Sequence, residues 1–148
     1  MTPLDFHTGV ADKLTYACRL VRKARQSGHR VVVTGAADQL TRLDALLWTF
    51  DAREFLPHAR LLAGQPMPPD LARTPVWLAD SPDDAALGAT AAAVLINLGP
   101  EAAAGWQAYA RLIEVVAVTV DEIASGRQRW RQYLAAGANP INHSRGAG

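Results

Sequence analysis

Cysteine is nearly missing from this sequence: Cys18 is the only one in 148 residues. No intramolecular disulfide framework is available, and the chain suits a reducing compartment. Long apolar runs are missing as well. The most apolar stretch, Ala85 to Leu98, falls short of the ~18 residues that a membrane helix needs, and it holds Gly88 and Asn97. Neither sign of charge dominates. Lys+Arg at 15 against Asp+Glu at 14 leave a formal charge of +1, so there is no overall basic field of the kind that grips duplex DNA. The opening Met1-Thr2-Pro3-Leu4-Asp5 lacks a basic start leading into an apolar core, and no signal peptide is expected. What is present is ordinary: 49% apolar and 20% charged residues. A chain of this length buries roughly two-thirds of its unfolded surface without help from disulfides or metals. The expectation is one soluble, cytoplasmic domain.

Strand and helix signals alternate. Leu4 to His7 reads as a short strand. Asp12 is an N-cap candidate for a helix to Ser27, with Leu14, Ala17, Cys18 and Val21 on one face. Arg22, Lys23 and Arg25 suit its C-terminal turns, and Gly28 stops it. Arg30 to Thr34 is a β-branched strand of the kind buried inside parallel sheets. Asp38 to Trp48 reads as a second helix, Pro75 to Asp80 and Ala92 to Leu98 as strands, and Glu101 to Ala110 as a short helix. Leu112 to Val118 is a further strand. Thr119 and Glu122 have capping-box spacing and open a last helix that runs through Ala136 to Gly137. The order predicts an α/β fold, a mostly parallel sheet flanked by helices, in one domain over residues 1–137. Residues 138–148 read as a polar, frayed tail.

Such a fold invites a nucleotide, but the turn Thr34-Gly35-Ala36-Ala37-Asp38 has one glycine where a dinucleotide fingerprint needs three. It also has no Lys-Ser/Thr pair. Nucleotide binding is therefore disfavoured, and no cofactor is expected. His7, His29, His58 and His143 are scattered, with no metal-ligand spacing. Cys18 reads as a small buried thiol. No serine lies in a G-x-S-x-G elbow. Asp83-Asp84 and Asp121-Glu122 fall at loop or helix starts, where carboxylates meet the helix dipole favourably. No catalytic constellation emerges.

Arginine and aromatic residues together stand out. Arg127 and Arg131 share a face of the last helix, with Trp130 between them and with Arg129 and Tyr133 towards the flanks. A tryptophan bracketed by guanidinium groups is either a surface cation–π cluster or a pocket for a ligand both apolar and anionic, such as a peptide tail ending in a carboxylate. A second aromatic group runs from Leu47-Trp48 through Phe50 and Phe55 to His58.

Three segments carry a family resemblance: Ser27-Gly28-His29-Arg30-Val31-Val32-Val33; Leu43-Asp44-Ala45-Leu46-Leu47-Trp48 with Phe55-Leu56-Pro57-His58; and Arg127-Gln128-Arg129-Trp130-Arg131-Gln132-Tyr133 with Ala136-Gly137 and Asn139. The second is the most specific. The sequence resembles the chi subunit of bacterial DNA polymerase III over nearly its whole length. That resemblance implies a nucleotide-binding-like topology without a nucleotide site, and a non-catalytic adaptor of the clamp-loader assembly that reaches DNA only indirectly and no membrane. Its implied partners are the acidic, phenylalanine-ended C-terminal tail of the single-stranded-DNA-binding protein, the psi subunit and, in some bacteria, a repair helicase. It assigns the tail to Trp48, Arg127, Trp130 and Arg131, and psi or the helicase to Phe55. A tail-contacting lysine of the family falls near Ile123 here. On this reading Arg127 grips the terminal carboxylate, Trp48 and Trp130 wall the phenylalanine ring, and Arg129 and Arg131 steer the upstream acids. The second reading, from another class, is a small α/β enzyme or nucleotide-binding protein with a dispersed site.

Overall fold

A computed structural model describes residues 2–50, 56–61, 74–80 and 93–145. Its elements are β1 (Leu4–Val10), α1 (Lys13–Gln26), β2 (Arg30–Thr34), α2 (Ala37–Thr49), β3 (His58–Leu61), β4 (Val76–Ala79), β5 (Ala93–Asn97), β6 (Arg111–Ala117), α3 (Val120–Ala135) and β7 (Ile141–Ser144). The seven described strands form one sheet in the order β3-β4-β2-β5-β6-β1-β7, and every neighbouring pair is parallel. The α/β, mostly parallel expectation holds.

The helix ends follow their capping chemistry. The Asp12 carboxylate accepts from the Thr15 N–H at 3.1 Å, and Gly28 takes a φ of +83° just beyond α1. Gln39 accepts from the Ala36 N–H at 2.9 Å and donates to the Leu98 carbonyl at 3.2 Å, tying the start of α2 to the end of β5. Thr119 caps α3 through the Glu122 N–H. Glu122 does not complete the box; its carboxylate takes the Ala117 N–H and the Lys13 ammonium instead.

Alternation along the strands divides the interior in two. Val31, Val33, Ile96, Ile113 and Val115 pack with α1 and α2, so Cys18 is fully buried and its thiol is pushed up to about 11 by that burial. Phe6, Val32, Leu95, Leu112 and Val116 face the other way, with Tyr133 of α3.

Three expectations are corrected. The helix expected over 101–110 is only a 3-10 turn at Trp106–Ala108, because Gly105, at φ +77°, interrupts it. That turn seats the buried Trp106 edge-on against Tyr133, ring centres 5.7 Å apart. The expected frayed tail instead contributes β7, which pairs with β1 from Asp5↔Ile141 to Thr8↔Ser144. Its Ile-Asn-His-Ser sequence carries no strand signature; backbone pairing and the 3.1 Å contact of His143 with Asp5 hold it. Strand β3, finally, lies in a segment with no predicted element.

Candidate functional site

Helix α3 lies very close to β6. A Cβ on Gly126 would stand 2.9 Å from one Val116 methyl and 3.1 Å from the other, so only glycine permits this approach. Beneath the helix runs a buried polar network. Glu114 and Arg129, 0% and 1% exposed at the side chain, pair at 2.9 Å. Tyr133 donates to the same carboxylate, Asn97 donates to it at 2.9 Å, and the Tyr133 hydroxyl accepts from the Ala103 N–H. Burial raises the Glu114 carboxyl above its ordinary range against the pull of Arg129, and burial followed by the Glu114 charge raises the Tyr133 phenol.

Arg129 is therefore not a flanking surface cation, and its expected role in steering acidic residues is withdrawn. Positions 126, 129, 130 and 133 share the helix face that meets the sheet. An acid inside the apolar run Leu112-Ile113-Glu114-Val115-Val116 is the signal that could have revealed a buried cation, since a buried carboxylate needs a partner.

Between α3 and the carboxyl ends of β1 and β6 lies a groove of about 520 Å³. Phe6, Val116 and Gly126 line it, with Trp130 held edge-on against Phe6 at 5.0 Å. Ile123 and Val118, 39% and 52% exposed, carry its apolar surface out to solvent. Arg127 is the one formally charged residue lining it among the described residues. The site is an apolar slot with a single cation. Arg131 is exposed one turn further along α3, and Ile123 one turn before Arg127.

Trp48 is elsewhere. It stands near the end of α2, which packs on the opposite face of the sheet from α3 and against its other edge, β3 and β4. Its ring is 56% exposed and lies 4.6 Å from that of His58, whose Nε2 is 3.2 Å from the Asp44 carboxylate. Trp48 and Trp130 therefore do not wall one pocket, which corrects the expectation that both embrace the same ring. Sequence spacing places residues on a helix, but it does not say which face of a sheet the helix covers. Phe55 lies outside the described residues.

At the turn after β2, where doubly wound sheets hold nucleotides, lies a shallow cleft of about 320 Å³ whose charged lining residues are the acids Asp80 and Glu101. A Cβ on Gly35 would meet Gln39 Oε1 at 2.9 Å and Leu98 at 3.3 Å. The glycine there serves the packing of α2 against the end of β5. No described helix is long and apolar enough to cross a membrane.

Residues 1–140 match the model of the family described as DNA polymerase III chi subunit, HolC. No curated protein matches the chain.

Proposed function

The chain belongs to the DNA polymerase III chi subunit family, and from that premise we propose that it is a non-catalytic adaptor whose α3 groove receives the acidic, phenylalanine-ended tail of the single-stranded-DNA-binding protein. The observation that carries this reading is the pairing of an apolar slot with one guanidinium at its edge. A C-terminal phenylalanine offers the matching pair, a ring and a carboxylate on one residue. Trp130 and Phe6 supply aromatic edges and faces for the ring. Arg127 presents two parallel donors to the carboxylate, a charge-assisted contact. Arg131, outside the groove, acts on acidic residues further up the tail as a salt-sensitive rim charge. The site is small, so affinity is micromolar, about −8 kcal/mol, and rises when several tails are displayed on one oligomer.

Calorimetry with three peptides tests this: the tail sequence, the same peptide without its terminal phenylalanine, and the same peptide amidated at its C-terminus. Loss of the phenylalanine costs about 2 kcal/mol or more. Amidation, which leaves the ring and removes the charge, also weakens binding strongly. Equal affinity for all three would remove the groove as the tail site.

Trp48 favours a second surface. An exposed tryptophan at a helix end, on the far side of the sheet from the groove, is a typical interface anchor. Phe55 follows seven residues later in sequence. We assign Trp48 and Phe55 together to the psi or helicase partner, and Trp48 no longer to the tail. The protein thereby links two partners on opposite faces, working in the cytoplasm beside the replication machinery.

A further inference from the structure

The formal charge of +1 conceals a strong segregation. Between Asp12 and Asp38 there is no acidic residue, while six cations occur there: Lys13, Arg19, Arg22, Lys23, Arg25 and Arg30. The fold adds to them. Helix α1 packs chiefly on β2 and β6 and reaches β1 through Tyr16, whose ring lies 5.7 Å from that of His7, and beside it the sheet surface opens to solvent. The resulting cleft, about 550 Å³, is walled by α1 and floored by β6, β1 and β7. Parallel strands normally present apolar side chains to a covering helix. Here polar side chains share the floor with Val94 and Ile113: Asp5 and His7 on β1, Arg111 on β6 and His143 on β7, while Arg145 follows just past it.

Lys23, Arg111 and Arg145 bring three cations to this cleft against one carboxylate. That carboxylate, Asp5, is already engaged, 3.1 Å from His143 and 3.5 Å from Arg111. Lys23 and Arg145 have no carboxylate within ion-pairing distance among the described residues, and Arg19 extends the line one turn back along α1. The positive field is felt inside: burial, then Arg145 and His143, hold the His7 imidazole down at about 4.

We propose that this cleft binds the phosphate backbone of single-stranded DNA. Lys23 and Arg145, two cations with no carboxylate partner among the described residues, stand with Arg111 beside the part-exposed His143 ring, which suits a strand whose phosphates are gripped while a base lies on a flat side chain. Three cations in one cleft make a footprint of a few phosphates, less than duplex binding by charge alone needs, and DNA is a ligand in keeping with a DNA polymerase III subunit family. It lies on the opposite sheet face from the α3 groove, so a protein tail and a DNA strand occupy the molecule together.

The test is fluorescence anisotropy of a labelled oligothymidylate about twelve nucleotides long, titrated with the full chain at several salt concentrations. Three phosphate contacts predict a log–log salt slope near −2, at ~0.7 per contact on a single strand. Lys23→Ala with Arg145→Ala is expected to weaken binding at least tenfold and to flatten the slope to about −0.7. The same double variant keeps its melting temperature and its affinity for a phenylalanine-ended acidic peptide, which excludes misfolding as the cause. Absence of oligonucleotide binding at ~50 mM salt would overturn the proposal. So would an unchanged affinity in the double variant, or equal competition by polyglutamate of matching length, which would make this a site for acidic peptides.

Discussion

Arg127 and Arg129 stand two residues apart on α3 and meet opposite surroundings: Arg127 lines an open groove, and Arg129 is buried against Glu114 at 2.9 Å. The same side chain therefore has two different consequences when removed. Arg129→Met leaves Glu114 in the interior without its cation, a loss of about 3–5 kcal/mol. Arg127→Ala exposes nothing buried and leaves the melt unchanged within experimental scatter. Thermal unfolding of the two variants side by side checks this; similar melting temperatures would mean that Arg129 is not the structural member of the pair.

Binding reverses the order. Arg127→Ala is expected to lose on the order of 2–3 kcal/mol of affinity for the phenylalanine-ended peptide. Arg127→Lys keeps the charge but not the parallel donors, so it falls in between. Arg131→Ala lowers affinity modestly, and mainly at low salt. Peptide titrations at two salt concentrations separate the three, and an Arg127→Ala protein that bound like the parent would move the site away from α3.

The two tryptophans give a sharper division. Trp130→Ala removes the ring that lines the groove and rests on Phe6, and is expected to cost the tail peptide 2 kcal/mol or more. Trp48→Ala and Phe55→Ala are expected to leave peptide affinity within about threefold, under ~1.4 kcal/mol, while weakening a psi-like or helicase partner. Peptide calorimetry on folded variants decides it. Loss of peptide binding in Trp48→Ala would contradict the two-face arrangement.

Much of this layout was legible in the residues. Asp12, Gly28 and Thr119 mark helix ends by chemistry that acts locally, and the β-branched run Val31–Val33 marks a buried strand. Arg127 and Trp130 share a groove because three-residue spacing puts them on neighbouring positions of one helix face. The rest depends on the assembled sheet. Strand β7 is held by its neighbour rather than by its own composition, as β-propensity is largely a property of context. The position of Trp48 follows from α2 packing on the α1 side of the sheet, which no spacing within α2 encodes. Arg129 was half-legible, through the acid that stands in the middle of β6.

Gly126 sets the depth of the groove, and its replacement reads out the helix–sheet distance directly. Gly126→Ala puts a methyl group 2.9 Å from a Val116 methyl on a strand at the centre of the packing. Alanine favours the helix itself by up to ~1 kcal/mol, but the overpacking costs about 1–3 kcal/mol, so the variant is less stable in balance. Adding Val116→Ala removes the methyl groups that the new one meets and is expected to recover part of the loss, a coupling that separate sites would not show. A fully additive pair of denaturation energies would refute the close approach.

His7 gives the fold a pH dependence whose sign can be worked out. Its ring is 8% exposed, and Nδ1 faces both the Tyr16 hydroxyl and, at 3.4 Å, the guanidinium of Arg145. Arginine only donates, so Nδ1 carries the lone pair and the imidazole is neutral. Burial is the largest cause of its low pKa. Arg145, His143 and Lys23 add to it, and Asp5 opposes. With a folded value of about 4 against 6.5 unfolded, the unfolded chain binds the extra proton between those limits. The contribution is complete above pH 6.5 and is lost as the pH falls through 4, by up to about 3 kcal/mol. Urea denaturation of the parent and of His7→Gln isolates it, because glutamine keeps an acceptor for Tyr16 and Arg145 and does not titrate. Stability of the parent is expected to fall more steeply with acidification than that of the variant, and parallel curves would show that His7 is not held neutral.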